Sequence, residues 1–176
     1  AYEHRNDHDA SGKLRGGKYS LYDGGAHVPM FRYWKGHTKH SVSDELVSQL
    51  DYFASLGALT GAKVPEGLDS KNYMTALLGK GHGRESLIVE AKSRLAIRRG
   101  DYIMIPPYYG EPYREAKKME LGNVPDYVLF NVSEDRMQEH DIAAQQPKIL
   151  ESMKKEFHDF VGDYYNIDIT EILKNY

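Results

Sequence analysis

Polar and apolar positions divide this chain into stretches of different texture. Residues 1–12 carry almost nothing apolar and read as a loop or arm with no strand before it. The run His27-Val28-Pro29-Met30-Phe31-Arg32-Tyr33-Trp34 is nearly continuously apolar, the pattern of a strand covered on both faces. Lys35-Gly36 ends it, and residues 45–50 predict a second short strand. Asp51 stands as an N-cap for a helix over 52–60, with Gly61 as its stop. Asp69 or Ser70 would cap another helix over 71–78, closed by Gly79. Gly79, Gly81 and Gly83 then form a hinge, which places a boundary between residues 1–83 and residues 84–176.

The second half alternates differently. Residues 86–90, 95–99, 101–105 and 127–132 are short β-prone runs, and Arg99-Gly100-Asp101 joins the middle two as a hairpin. Pro106-Pro107 stops the third run because proline cannot donate to a ladder. Residues 108–125 read as a long polar loop. Pro147 then opens a helix at a favourable first-turn position. Its stripe, Ile149, Leu150, Met153, Phe157, Phe160 and Val161, recurs at intervals of three and four until Gly162. A last short helix is predicted over 170–174. Several strands followed by one amphipathic helix give an α/β chain with a small antiparallel sheet packed on a helix.

Composition narrows the function classes. A chain of 176 residues suits one domain, or one domain with a small subdomain. A net charge of −3 argues against nucleic acid and against an anionic membrane surface as partners. No apolar run approaches the roughly 20 residues needed to span a bilayer, and no secretory leader pattern is visible. The first residue is Ala1, which reads as a processed chain or a fragment. With no cysteine there are no disulfides and no thiolate metal sites. His4, His8, His37 and His40 lack the spacing of a closed ligand set.

Candidate chemistry concentrates in Gly16-Gly17-Lys18-Tyr19-Ser20-Leu21-Tyr22-Asp23-Gly24-Gly25, followed by Ala26-His27-Val28-Pro29. Glycine at this density lets backbone approach backbone or ligand closely. Residues 12–18 also spell G-x-x-x-x-G-K, but Tyr19 replaces the metal-binding hydroxyl, no strand leads in and Asp23-Gly24-Gly25 prevents a following helix. Nucleotide binding is rejected on those grounds.

The loop resembles the lysine-bearing segment of type I sulfatases, the arylsulfatase family of the alkaline-phosphatase-like superfamily, which reads G-G-K-G-x-x-Y-E-G-G followed by V-P. Further resemblance lies in Val42-Ser43-Asp44-Glu45-Leu46-Val47-Ser48, Asp51-Tyr52-Phe53, Leu77-Leu78-Gly79-Lys80, Ala96-Ile97-Arg98-Arg99-Gly100-Asp101-Tyr102, Val128-Leu129-Phe130-Asn131 and Glu139-His140-Asp141-Ile142-Ala143. These occur in the family's order, from about Leu14 to about Phe160. The resemblance implies the C-terminal part of an alkaline-phosphatase-like α/β fold. In that frame residues 1–83 end the large catalytic domain, and residues 84–176 form the C-terminal subdomain.

The resemblance also implies a sulfuric ester hydrolase acting on a sulfated small molecule or sulfated sugar. Lys18 would then be the catalytic lysine that contacts the sulfate. His27, where many relatives have arginine, would contact substrate or do nothing, and Tyr19 replaces the family's glycine. The family's nucleophile is a formylglycine made from C/S-x-P-x-R, beside calcium held by Asp and Asn oxygens. Here the residues two before each proline are His27, Lys63, Met104, Ile105, Gly110, Asn123 and Gln145, and none is Cys or Ser. Asn6-Asp7 and Asp9 have no apolar strand leading into them and read as solvated. The expectation is that formylglycine and calcium belong to an upstream, N-terminal part of the same enzyme. This chain by itself is expected to be inactive. Family resemblance alone suggests a periplasmic, secreted or lysosomal site. The alternatives are a phosphoesterase or phosphonate hydrolase of the same superfamily, and a non-catalytic module using the tyrosines between Tyr108 and Tyr113.

Overall fold

The computed structural model describes residues 11–162. They fall into two compact units, one spanning Pro29–Leu87 and the other formed by the chain before and after it.

The discontinuous unit is organised on strands β1 (Ser86–Ala91), β2 (Arg94–Arg99), β3 (Tyr102–Ile105), β4 (Tyr113–Arg114), β5 (Met119–Glu120) and β6 (Val128–Asn131). The main sheet has the order β1-β2-β3-β6, and β4 pairs with β5 in a small ribbon. β2 and β3 run antiparallel with Ile97 opposite Met104 and Arg99 opposite Tyr102. β3 and β6 are antiparallel with Ile103 opposite Phe130. The hairpin predicted at Gly100-Asp101 is therefore present. The polar loop of 108–125 differs from expectation by folding back on itself as the β4–β5 ribbon.

A strand's period of two explains the two cores. Ala96, Ile103, Ile105 and Phe130 point to one face and pack with Leu21 and Tyr22. Ile97, Met104 and Leu129 point to the other and pack with Met153, Phe157 and Val161 of helix α3, which spans Pro147–Val161. (Helices α1 and α2 precede the sheet and are given below.) The stripe on α3 reads as predicted except at Phe160, which is exposed. The helix covers one face of the sheet, and the glycine loop covers the other.

The Pro29–Leu87 unit departs more from expectation. Residues 27–34 form no ladder, and Phe31 and Tyr33 are 94% and 86% exposed. An apolar strand buried on both faces needs neighbours on both sides, and these residues have none among those described. Residues 45–50 also form no strand; Leu46 accepts a single bond from the Arg84 N–H at 2.7 Å.

Helix α1 is Asp51–Thr60, stopped as predicted by Gly61 at φ +72°. Asp51 is its first residue and not its N-cap, which is Leu50. The Asp51 carboxylate turns inward, accepting two bonds from Arg84 at 2.7 Å each and one from the Lys71 N–H at 3.0 Å. Helix α2 is only Met74–Leu77. Asn72 Oδ1 accepts the Met74 N–H at 3.0 Å, whereas Ser70, expected as a cap, accepts the Ala54 N–H of α1. The arm of residues 1–10 and the helix expected at 170–174 lie outside the described residues.

Candidate functional site

The loop's glycines are required by close approach. A Cβ on Gly25 would lie 2.1 Å from the Ser20 carbonyl oxygen, and one on Gly24 would lie 2.6 Å from that of Arg15. Gly16 sits at φ +75°, where its Cβ would meet the Ser20 side chain at 2.3 Å. The segment thus folds onto itself, closing with a 3-10 turn at Asp23–Gly25. The Leu21 N–H then donates to the Leu121 carbonyl at 3.0 Å, joining the loop to the segment after β5.

Arg15 fastens the loop further. Its guanidinium donates in bidentate fashion to Glu120 at 2.7 and 2.6 Å, lies 4.0 Å from the centroid of the Tyr22 ring, and donates to the Gln138 carbonyl. That bond from Arg15 holds the Glu120 carboxyl below the ordinary glutamate range, against an opposing effect of burial. A depressed acid stabilises the fold above its unfolded pKa, and this contribution is lost as pH falls through its folded pKa. Acidification below the ordinary glutamate range should therefore loosen the Arg15–Glu120 tie. Glu120→Gln should remove that part of the acid dependence, read as a flatter unfolding midpoint against pH. An unchanged acid limb would show that this tie does not hold the loop.

Gln138 is fully buried with φ +53°, and its Oε1 accepts the Asp23 N–H at 2.7 Å. The Asp23 carboxylate accepts from His27 Nδ1 at 2.8 Å and stands 3.5 Å from Arg98. Asp23 is thus occupied in holding the loop. His27 is exposed, and its ring is oriented through Nδ1, so Nε2 is the nitrogen the tie to Asp23 leaves uncommitted.

Lys18 is an exposed turn residue, with Nζ 5.3 Å from the centroid of the Tyr19 ring. Lys117 approaches the same ring at 4.6 Å. Tyr19 has φ +86°, a left-handed backbone that side chains adopt at a cost on the order of 1 kcal/mol. A glycine would meet that requirement without strain, which gives a physical reason for the glycine at this position in the resembling pattern. The structure draws His27 to Asp23 and sets Lys18 against Tyr19.

Tyr19 also lines a cleft of about 290 Å³ together with Arg94, Arg114, Lys92, Glu111 and Asn123. Neither this cleft nor the roles of Arg15 and Gln138 had a signal in the sequence. Their partners lie more than a hundred positions away in the two anchoring contacts, so no local pattern could reveal them.

Among the described residues one group has ligand spacing: Asp135, Glu139 and His140, with ligand atoms within 4.8 Å of one another. Burial opposes ionisation of Asp135, yet the N–H groups of His140 and Glu139 hold it below the ordinary aspartate range. Its oxygens are therefore already committed to those donors. A hard cation such as calcium takes six to eight oxygens. This exposed set with one imidazole does not fit it, and no chemical step is assigned to a metal held here.

The sulfatase family model matches residues 3–62. An N-acetylgalactosamine-6-O-sulfatase of Bacteroides thetaiotaomicron is 34% identical over 159 residues, covering 88% of this chain and 31% of that protein. Human arylsulfatase A is 30% identical over 165 residues, covering 82% of this chain and 32% of its own length. A solved structure from work on glycosaminoglycan metabolism by Bacteroides thetaiotaomicron superposes with a TM-score of 0.82 at 33% identity. It covers 91% of this chain and 34% of that one. The chain spans about a third of the length of these relatives.

Proposed function

Because this chain belongs to the type I sulfatase family and corresponds to the C-terminal portion of its members, we propose that it forms one wall of a sulfuric ester hydrolase active site. Lys18 binds the sulfate and stabilises the charge that develops as the S–O bond breaks. An ammonium fixed where charge appears lowers the transition state more than the ground state. His27 contacts the substrate through Nε2. The formylglycine nucleophile and the calcium are supplied from outside these 176 residues. Residues 1–83 complete the large α/β domain and residues 84–176 form the subdomain.

The observation that carries this reading is the loop itself. Its glycines, Arg15, Asp23 and Gln138 hold the backbone in one conformation while Lys18 remains exposed. Preorganisation of this kind is what electrostatic catalysis requires, since a donor that must reorganise loses its advantage. Support for a partner segment comes from the other unit. It exposes Phe31, Tyr33, Val42, Phe53 and Leu56, apolar side chains that a covering segment would take out of water. The N-terminal part of the same enzyme would cover it.

The substrate class is a sulfated small molecule or a sulfated sugar. No helix among the described residues is long and apolar enough to cross a membrane. The test is nitrophenol release from an aryl sulfate, assayed with the complete protein and with the 176-residue chain. Turnover is expected from the complete protein only. A complete protein inert towards sulfate esters but active on phosphate esters would overturn the reading.

A further inference from the structure

We propose that the cleft bounded by Tyr19, Lys92, Arg94 and Arg114 is a second anion subsite. It takes a carboxylate or sulfate on the sugar next to the one whose ester is cleaved, so the preferred substrate is a polyanionic oligosaccharide. This rests on Lys18 as the sulfate-binding residue and adds a requirement on the neighbouring sugar.

The argument begins at Arg94. Its guanidinium is half-buried and donates to the Leu121 carbonyl at 2.9 Å, to the Tyr19 carbonyl at 2.7 Å and to Asn123 Oδ1. All three acceptors are neutral. Burial works most strongly against its charge and nearby Arg114 adds to that effect, while Tyr108 and Glu90 offset part of it, leaving the net balance against the cation. A half-buried cation bonded only to neutral oxygens keeps a charge that a bound anion would offset. The arginine is also fixed in place, because three acceptors from two separate segments hold its fork.

The rest of the lining has the same sign. Lys92 lies in the turn between β1 and β2, with φ +55°. Arg114 projects from β4. Against these three cations the lining holds one acid, Glu111. In a chain whose net charge is −3 this is a local concentration and not a general basic surface. At about 290 Å³ the cleft is at the small end for an organic ligand, suited to one charged substituent and part of a sugar ring.

Tyr19 connects the cleft to the lysine. Tyr19 lines the cleft, its carbonyl accepts from Arg94, and Lys18 Nζ lies 5.3 Å from the centroid of its ring. The left-handed backbone at Tyr19 sets the direction of that ring, a side chain that glycine at this position would lack. An oligosaccharide whose sulfate reaches Lys18 therefore brings its next residue towards the cations of the cleft.

The experiment titrates the complete protein, with its formylglycine precursor residue replaced by alanine so that the ester survives, with a disaccharide carrying one sulfate ester and one uronate. The comparison ligand is the same disaccharide with its carboxylate reduced to an alcohol. This protein is expected to bind the dianion roughly 10-fold more tightly, as a charge-assisted bidentate contact would give. Arg114→Gln should abolish the preference and Lys92→Gln should reduce it several-fold, with melting temperatures reporting that each variant is folded. Lys18→Ala should weaken both ligands alike and leave their ratio unchanged. Equal affinity of the protein with an intact cleft for the two ligands would overturn the subsite, as would a preference that survives both cleft substitutions. If Lys18→Ala weakens neither ligand while the preference persists, the sulfate-binding role of Lys18 fails and the cleft stands.

Discussion

Replacing Lys18 with alanine is expected to lower kcat/KM for an aryl sulfate by roughly 100- to 1,000-fold in the complete protein, the range typical of losing one preorganised charge-stabilising donor. The loss should fall mainly on kcat, because negative charge on the leaving oxygen and the sulfonyl oxygens grows between ground state and transition state. Melting should change little, since Lys18 is exposed and the loop is held by Arg15, Asp23 and backbone bonds. Lys18→Arg keeps the charge but presents a planar fork in place of a compact ammonium, and should recover only part of the rate. Full activity in the alanine variant would remove Lys18 from the reaction.

The largest effect on stability is expected at Asp51→Ala, about 3–5 kcal/mol in the Pro29–Leu87 unit, from breaking a buried ion pair on one side only. Asp51 is fully buried and Arg84 nearly so, with side chains 0% and 9% exposed. The carboxylate receives both arms of the guanidinium and the Lys71 N–H, so its removal strands a buried cation and an unmet donor together. Arg84 would keep only the Asp69 carbonyl as an acceptor. Amide exchange in α1 is the measurement, because it reports this unit separately. The double change Asp51→Leu with Arg84→Met should be milder than either single one, since no charge is left unpaired. Loss of less than about 1 kcal/mol in Asp51→Ala would show that water reaches the pair.

Elements made by neighbours in sequence are legible in the order of the residues alone. The β2–β3 hairpin needs only two β-prone runs and a tight turn. Helix α3 carries its own start at Pro147, its stripe and its stop at Gly162. Helix α1 announces itself through its Gly61 stop, although Asp51 suggests a cap and serves burial instead. That difference has a physical cause: an aspartate before a helix suits a cap, and nothing local reports that Arg84 stands 33 positions away. Residues 27–34 fail for the opposite reason. Their apolar run specifies a buried strand, but a strand exists only through ladder partners, and none pairs with them among the described residues.

Contiguous residues are enough to specify the family, the glycine loop with Lys18, and the antiparallel sheet with its helix. The mechanical purpose of that loop follows only from the folded chain. Leu21 and Tyr22 cover the second face of the sheet, Arg15 reaches Glu120, and Gln138 meets Asp23. Folding likewise brings Tyr19 to Arg94 and so builds a basic cleft beside the lysine. Such contacts join residues separated by 75 to 115 positions. Only the closure of the fold brings them within bonding distance, so no local pattern of hydrophobic and polar residues can encode them.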